Sequence, residues 1–175
     1  MNKKLTIFLI LSVFLLSITV YAEDQWDTSV SNDPMTGTKT WYANSPMVTS
    51  TETLDFPYSD VKAWIGIGYD GKEEWVYIGF TSSPNIVDTI TKDGYNVINT
   101  RIKWDDKIEL ISLRQEWGAK FIHFRDDKTI VSKISNSNTV LLELNWYSNG
   151  NVYFNFPLEG ASSAIDKIYK EFEDN

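Results

Sequence analysis

The chain has 175 residues, 16 Lys and Arg against 24 Asp and Glu, one His, no Cys, and 42% apolar with 14% aromatic residues. That is the length of one ordinary domain, with too much apolar content for a disordered segment. The absence of Cys excludes disulfide frameworks, thiolate zinc sites, iron–sulfur clusters, Cys nucleophiles and lipidated cysteines together.

The first element in chain order is an address. Asn2, Lys3 and Lys4 make a basic start, residues 5–20 are an apolar run without a charge, and Val20, Tyr21 and Ala22 form a small-x-small pattern before Glu23. The run is shorter than the ~20 residues that span a bilayer comfortably, and no basic residues follow it. Residues 1–22 therefore read as a secretory signal peptide, and residues 23–175 as a single exported domain, periplasmic or extracellular, with no membrane span after cleavage. Losing Lys3 and Lys4 moves the formal net charge from −8 to −10. Such a charge repels phosphate backbones and anionic lipid heads, so nucleic acid and membrane surfaces are disfavoured as partners, whereas a basic protein is electrostatically permitted.

The rest of the chain is short runs of Val, Ile, Thr and aromatic residues punctuated by turn residues, the pattern of an all-β domain. Asp33-Pro34-Met35-Thr36-Gly37 separates a strand around 25–30 from one around 39–43. Asp70-Gly71 separates runs at 61–68 and 73–80 and signals a hairpin whose register stays open. A three-residue Asp105-Asp106-Lys107 loop would set Trp104 opposite Ile108 and Ile102 opposite Leu110. A Ser148-Asn149-Gly150 loop would pair Trp146 with Val152, Leu144 with Phe154 and Leu142 with Phe156, with Gly150 left-handed. Residues 127–134 are expected to form a short helix capped by Asp126 or Asp127. From Ala161 onward, Ala164, Ile165, Ile168, Tyr169 and Phe172 follow helical spacing. The expected fold is all-β, a sandwich or partly open barrel of about eight to ten short antiparallel strands with a C-terminal amphipathic helix.

The order of several motifs resembles a group of small exported bacterial domains. It runs from Trp26, Ser29, Ser31 and Asp33-Pro34-Met35-Thr36-Gly37, through Arg101-Ile102-Lys103-Trp104-Asp105-Asp106, to Leu141-Leu142-Glu143-Leu144. It ends in Val152-Tyr153-Phe154-Asn155-Phe156-Pro157-Leu158-Glu159-Gly160 and Ala164-Ile165. These domains are the type VI secretion accessory proteins TagO and VasI and the invasion-associated locus B proteins. The resemblance implies a periplasmic β-rich domain and a role beside a secretion machine; it supplies no catalytic residue.

Residues that carry chemistry are sparse. His123 is the sole histidine, on an expected strand at 120–124, and no Ser-His-acid or His-rich signature accompanies it. Asp105-Asp106 and Asp126-Asp127 are acidic pairs without the alternating spacing of a calcium loop, so no metal and no cofactor is expected. The surface candidate is the 61–80 hairpin. Trp64, Gly66 and Gly68 share one face of the first strand, and Trp75, Tyr77 and Gly79 one face of the second. Glycine opposite an aromatic ring serves plain packing, but if that face is exposed it is an aromatic platform for a partner.

The functional expectation is a non-catalytic exported binding or accessory protein of the cell envelope or a type VI secretion assembly, engaging a protein partner through Trp64, Trp75 and Tyr77. One alternative is an acidic inhibitor or immunity protein against a basic enzyme such as a lysozyme. Another is an envelope glycan hydrolase using two carboxylates.

Overall fold

The computed structural model describes residues 26–174, so the expected signal peptide lies outside the described residues. In chain order the strands are β1 (Asp27–Asn32), β2 (Lys39–Asn44), β3 (Val48–Thr49), β4 (Lys62–Tyr69), β5 (Glu74–Phe80), β6 (Ile90–Lys92), β7 (Tyr95–Trp104), β8 (Lys107–Glu116) and β9 (Phe121–His123). Helix α1 (Asp127–Asn136), β10 (Thr139–Trp146), β11 (Gly150–Pro157) and helix α2 (Ala161–Glu173) follow. The strands form one 11-stranded antiparallel open sheet in the order β1-β2-β4-β5-β9-β8-β7-β10-β11, with β3 on β4 and β6 on β7. This exceeds the expected strand count because β3 and β6 are too short to give a periodic signal.

Alternation along the strands separates two faces. Ala43, Ile67 and Val76 lie in one cross-strand row and Ile65, Ile78 and Ile122 in the next, and all six are buried. The row of Ile102, Leu142 and Phe154 continues this inner face across the far half of the sheet. Both helices cover the inner face. In α2, Ala161, Ala164, Ile165 and Ile168 are buried, and Phe172 meets Trp41 and Tyr69 edge-on at 5.4 and 5.2 Å between ring centres. In α1, Ile130, Val131 and Ile134 are buried. Asp126 caps that helix by accepting from the Thr129 N–H, whereas the neighbouring Asp127 carboxylate accepts from the Val76 N–H at 2.9 Å and fills the place beside β5 where β9 has ended.

Two expected registers are corrected. At the β7–β8 turn, Trp104 pairs with Lys107 and Ile102 with Glu109, so the loop has two residues, with Asp105 at a φ of 47°. Ile108 and Leu110 consequently point outward, 62% and 85% exposed. The inward position is held by Glu109, which accepts from the Trp104 indole at 2.8 Å and pairs with Lys133 of α1. A helix that brings a cation to the inner face makes an acid the preferred residue there, and hydrophobic sorting alone could not see it. At the β10–β11 turn Trp146 pairs with Gly150 and Leu144 with Val152, two residues from the expected register. An even slip preserves the faces, and Gly150 is left-handed as expected, with a φ of 69°.

The Asp70-Gly71 hairpin, open from sequence, pairs Tyr69 with Glu74. Its turn is held by Asp70, whose carboxylate accepts from the Lys72 and Glu73 N–H groups, both at 2.8 Å. Among the described residues no helix is long and apolar enough to cross a membrane.

Candidate binding face

The pairing of β4 with β5 sets Trp64 opposite Gly79, Tyr77 opposite Gly66 and Trp75 opposite Gly68. Each ring crowds the glycine across from it. A Cβ built on Gly66, Gly68 or Gly79 would come within 2.2, 2.3 and 2.3 Å of the Tyr77, Trp75 and Trp64 rings respectively. The glycines are thus required by close approach of the rings, and the three aromatic residues share the outer face, half-buried.

Neighbouring strands extend the surface. Register places Asn44 and His123 beside Gly66 and Tyr77, Tyr42 beside Gly68, and Phe121 beside Gly79. Phe121 stands edge-on to Tyr77 at 5.3 Å and to Trp64 at 6.3 Å, and Tyr42 edge-on to Trp75 at 6.2 Å. The Tyr77 hydroxyl donates to Asn44 Oδ1 at 3.4 Å. Tyr42, Asn44 and Phe121, with Met47 and the β1 residues Asp27, Ser29, Val30 and Ser31, line a shallow concavity of roughly 550 Å³. Trp64 and Tyr77 form its wall, while Trp75 stands beside it, behind Tyr42. Met47 is 59% and Phe121 41% exposed, so the concavity offers apolar atoms to solvent.

Alternation made Trp75 and Tyr77 legible as a pair on one strand and Trp64 as a candidate on the other, and the β4–β5 register unites the three. Tyr42, Asn44, Met47 and Phe121 were not legible, because strand pairing brings them in from distant stretches of chain. The nearest sequence signal is at Phe121, which alternates with the buried Ile122 ahead of His123.

The titratable groups nearby are built into the fold. His123 lies 6.1 Å from the Tyr77 ring; burial pushes it below its ordinary pKa, against the opposing pull of Asp127 and Glu116. Burial also raises the Asp127 carboxyl, and the hydrogen bond from Val76 pulls the other way. Burial lifts the Tyr77 hydroxyl. Of the acidic pairs, Asp105 Oδ1 accepts from the Asn138 and Thr139 N–H groups, both at 2.9 Å, tying the β7–β8 turn to the start of β10. Asp106 faces solvent beside Lys103. Among the described residues no cluster of three or more His, Cys, Asp or Glu is placed to hold a metal ion. No protein family, no curated protein and no solved structure matches the chain.

Proposed function

We propose that this is an exported, non-catalytic binding protein of the cell envelope that holds a protein partner against the outer face around Trp64, Tyr77 and Trp75. The observation that carries the reading is the concavity itself. Aromatic and Met side chains gather outside the core on a β-sheet face that neither helix covers, where a packing role alone would bury them. Aromatic rings of this kind, large and held rigid by the sheet, are what central binding contacts are made of.

The motif order shared with TagO, VasI and invasion-associated locus B proteins supports an accessory place beside a secretion assembly, and the signal-like start supports export. A sheet closed as a partly open barrel fits the same reading. It is supported by the bridge from Ser50 to Phe154 and the hydrogen bond from Thr51 N to the Tyr153 carbonyl at 2.8 Å, which bring β11 round to the segment after β3. The excess of acidic residues makes a basic partner the better electrostatic fit, which keeps the inhibitor or immunity role as the second reading.

The test is crosslinking of the exported protein in envelope extract, identification of the captured protein, and titration of the purified pair. Trp64→Ala should weaken binding by ~2 kcal/mol or more, as at a central contact. Leu110→Ala, a control that removes an exposed apolar side chain from the far half of the sheet, should leave binding unchanged. Association should slow as salt is raised, because screening shortens the reach of opposite charges. Binding that Trp64→Ala leaves intact overturns the face; hydrolysis of an envelope glycan that one carboxylate substitution abolishes overturns the non-catalytic reading.

A further inference from the structure

The strand path ends at β1, which has β2 on one side and, among the described residues, no strand on the other. The direction of its backbone groups follows from the ladder. Asp33 N donates to the Thr38 carbonyl at 2.9 Å in continuation of the β1–β2 register, so residues 27, 29, 31 and 33 turn their N–H and C=O groups toward β2. Those of Thr28, Val30 and Asn32 turn away from it. Thr28 agrees: its N–H donates to the carboxylate of Asp27 at 2.8 Å. The N–H groups of Val30 and Asn32 have no protein acceptor among the described residues.

Natural sheets protect such an edge with Lys, Pro, a bulge or a covering segment. The stretch Asp27-Thr28-Ser29-Val30-Ser31-Asn32 has neither Lys nor Pro, pairs residue for residue without a bulge, and is exposed at every position but Thr28. The other end of the sheet is treated differently, since β11 is met by Ser50 and Thr51. The open edge also borders the aromatic concavity. Asp27, Ser29 and Ser31 stand on the outer face opposite Asn44, Tyr42 and Thr40, and the two small serines leave Tyr42 within reach of a side chain arriving from beyond β1.

Charge selects the occupant. Asp27 lies at one end of the edge and Asp33 just past the other. Hydrogen bonds from the Met35 N–H and the Thr36 hydroxyl hold the Asp33 carboxyl below its ordinary range, so it stays ionised. A second copy pairing antiparallel through the same outward groups, Val30 to Val30, would set Asp27 of each chain opposite Asp33 of the other. Like charges directly opposite are destabilising. An incoming strand with Lys or Arg at both ends meets opposite charge instead.

We infer that β1 is a strand-addition site, where an extended segment of a partner, basic at both ends, pairs with the free edge and lays alternate side chains beside the aromatic concavity. This rests on the binding-protein reading and names the form of the partner. Main-chain hydrogen bonds hold such a segment, and the alternate side chains give it specificity.

The test starts from a random library of about twelve-residue displayed peptides selected on the exported chain, a length sufficient to pair with the whole strand. Winners are synthesised and titrated. They should carry Lys or Arg at both ends, slow hydrogen exchange at the Val30 and Asn32 amides, and bind Asp27→Lys less tightly. N-methylation of one alternate set of peptide amides should weaken binding about tenfold or more, and of the other set little, since only one set faces β1. Val30→Pro should lose binding to the same extent; Pro is tolerated on an edge where its missing N–H faced solvent, and the peptide-methylation arm stands whatever that variant does. Failure to enrich peptides over a blank surface, equal effects of both methylation sets, or a dimer that Val30→Pro dissociates overturns the proposal, the last in favour of a second copy. The two readings fail separately. A partner lost with Trp64→Ala but kept by Val30→Pro leaves the aromatic face standing and removes strand addition, and the reverse pattern does the opposite.

Discussion

At the scale of single residues, two glycines show how differently the same residue type is used. At Gly66 the space a side chain would need is taken by the Tyr77 ring, whose Cζ is 2.2 Å from a built Cβ. At Gly150 nothing lies within 4 Å and the requirement is the backbone φ of 69°. Gly66→Ala must therefore lift Tyr77 off the strand, an overpacking cost of ~1–3 kcal/mol. Gly150→Val costs about 1–2 kcal/mol through the left-handed backbone alone. Denaturant titrations separate the two causes. In a Tyr77→Val background the Gly66→Ala cost should largely vanish, whereas the Gly150→Val cost should be unchanged. If Tyr77→Val leaves the Gly66→Ala cost intact, the ring does not lie over that glycine.

At the scale of elements, α1 is docked by its apolar stripe and by one ion pair. Lys133 meets Glu109, which also accepts from the Trp104 indole, and the Lys133 ammonium stands 5.8 Å from the centre of the Trp104 ring. The hydrogen bond from Lys133 is the main reason the Glu109 carboxyl sits below its ordinary value, with burial opposing it. A carboxyl depressed in the folded state contributes stability that is complete above its unfolded pKa and lost as pH falls through the folded one. Lys133→Met should therefore cost ~1 kcal/mol at neutral pH, a partly shielded pair being worth little more than an exposed one. The gap from the parent protein should close as pH falls through and below the ordinary glutamate range. A gap that stays constant as the acid is titrated would mean that Lys133 acts only through packing. The same acid explains where sequence reading stopped. Alternation and helical spacing located both helices and every long strand, because those signals lie within one element. They put Trp75 and Tyr77 on one face of β5 for the same reason, while the β4–β5 register, open from sequence, is what sets Trp64 on that face with them. The β7–β8 register failed because the residue that makes an inward Glu109 favourable, Lys133, belongs to an element 24 residues further on. The β10–β11 faces came out right and the pairing two residues wrong, since a slip of two moves no side chain between faces. Phe121 and Met47 escaped notice as parts of the concavity because only the β5–β9 and β3–β4 pairings carry them there.

At the scale of the whole molecule, both ends of the sheet come to the same line of chain. β2 runs on through Ser45, whose N–H donates to the Ile65 carbonyl at 2.8 Å and whose hydroxyl accepts from the Ile65 N–H at 2.9 Å, into β3, so that β2 and β3 together flank β4. β1 pairs with the first half of that line, and β11 meets the residues just past its second half. The two are linked where they approach, by the Trp26 indole donating to the Pro157 carbonyl at 3.3 Å. This arrangement accounts for the β1 edge that no described strand pairs: β11 ends where β1 begins and does not run alongside it. The contact of Thr51 with Tyr153 is thus a joint between β11 and the segment after β3. Its amide should exchange as slowly as those of central strands, opening only with the global transition, because a joint between sheet ends is broken when the core opens. Thr51→Pro removes that donor and should lower stability by ~1–3 kcal/mol, more than a proline in a solvated loop would. Native-state exchange read at Thr51 decides the matter. An amide there that exchanges like one in an open loop would mean that β11 swings free of the β3 segment and that the core along Phe80, Trp146 and Phe154 is held by the helices and the remaining pairs alone.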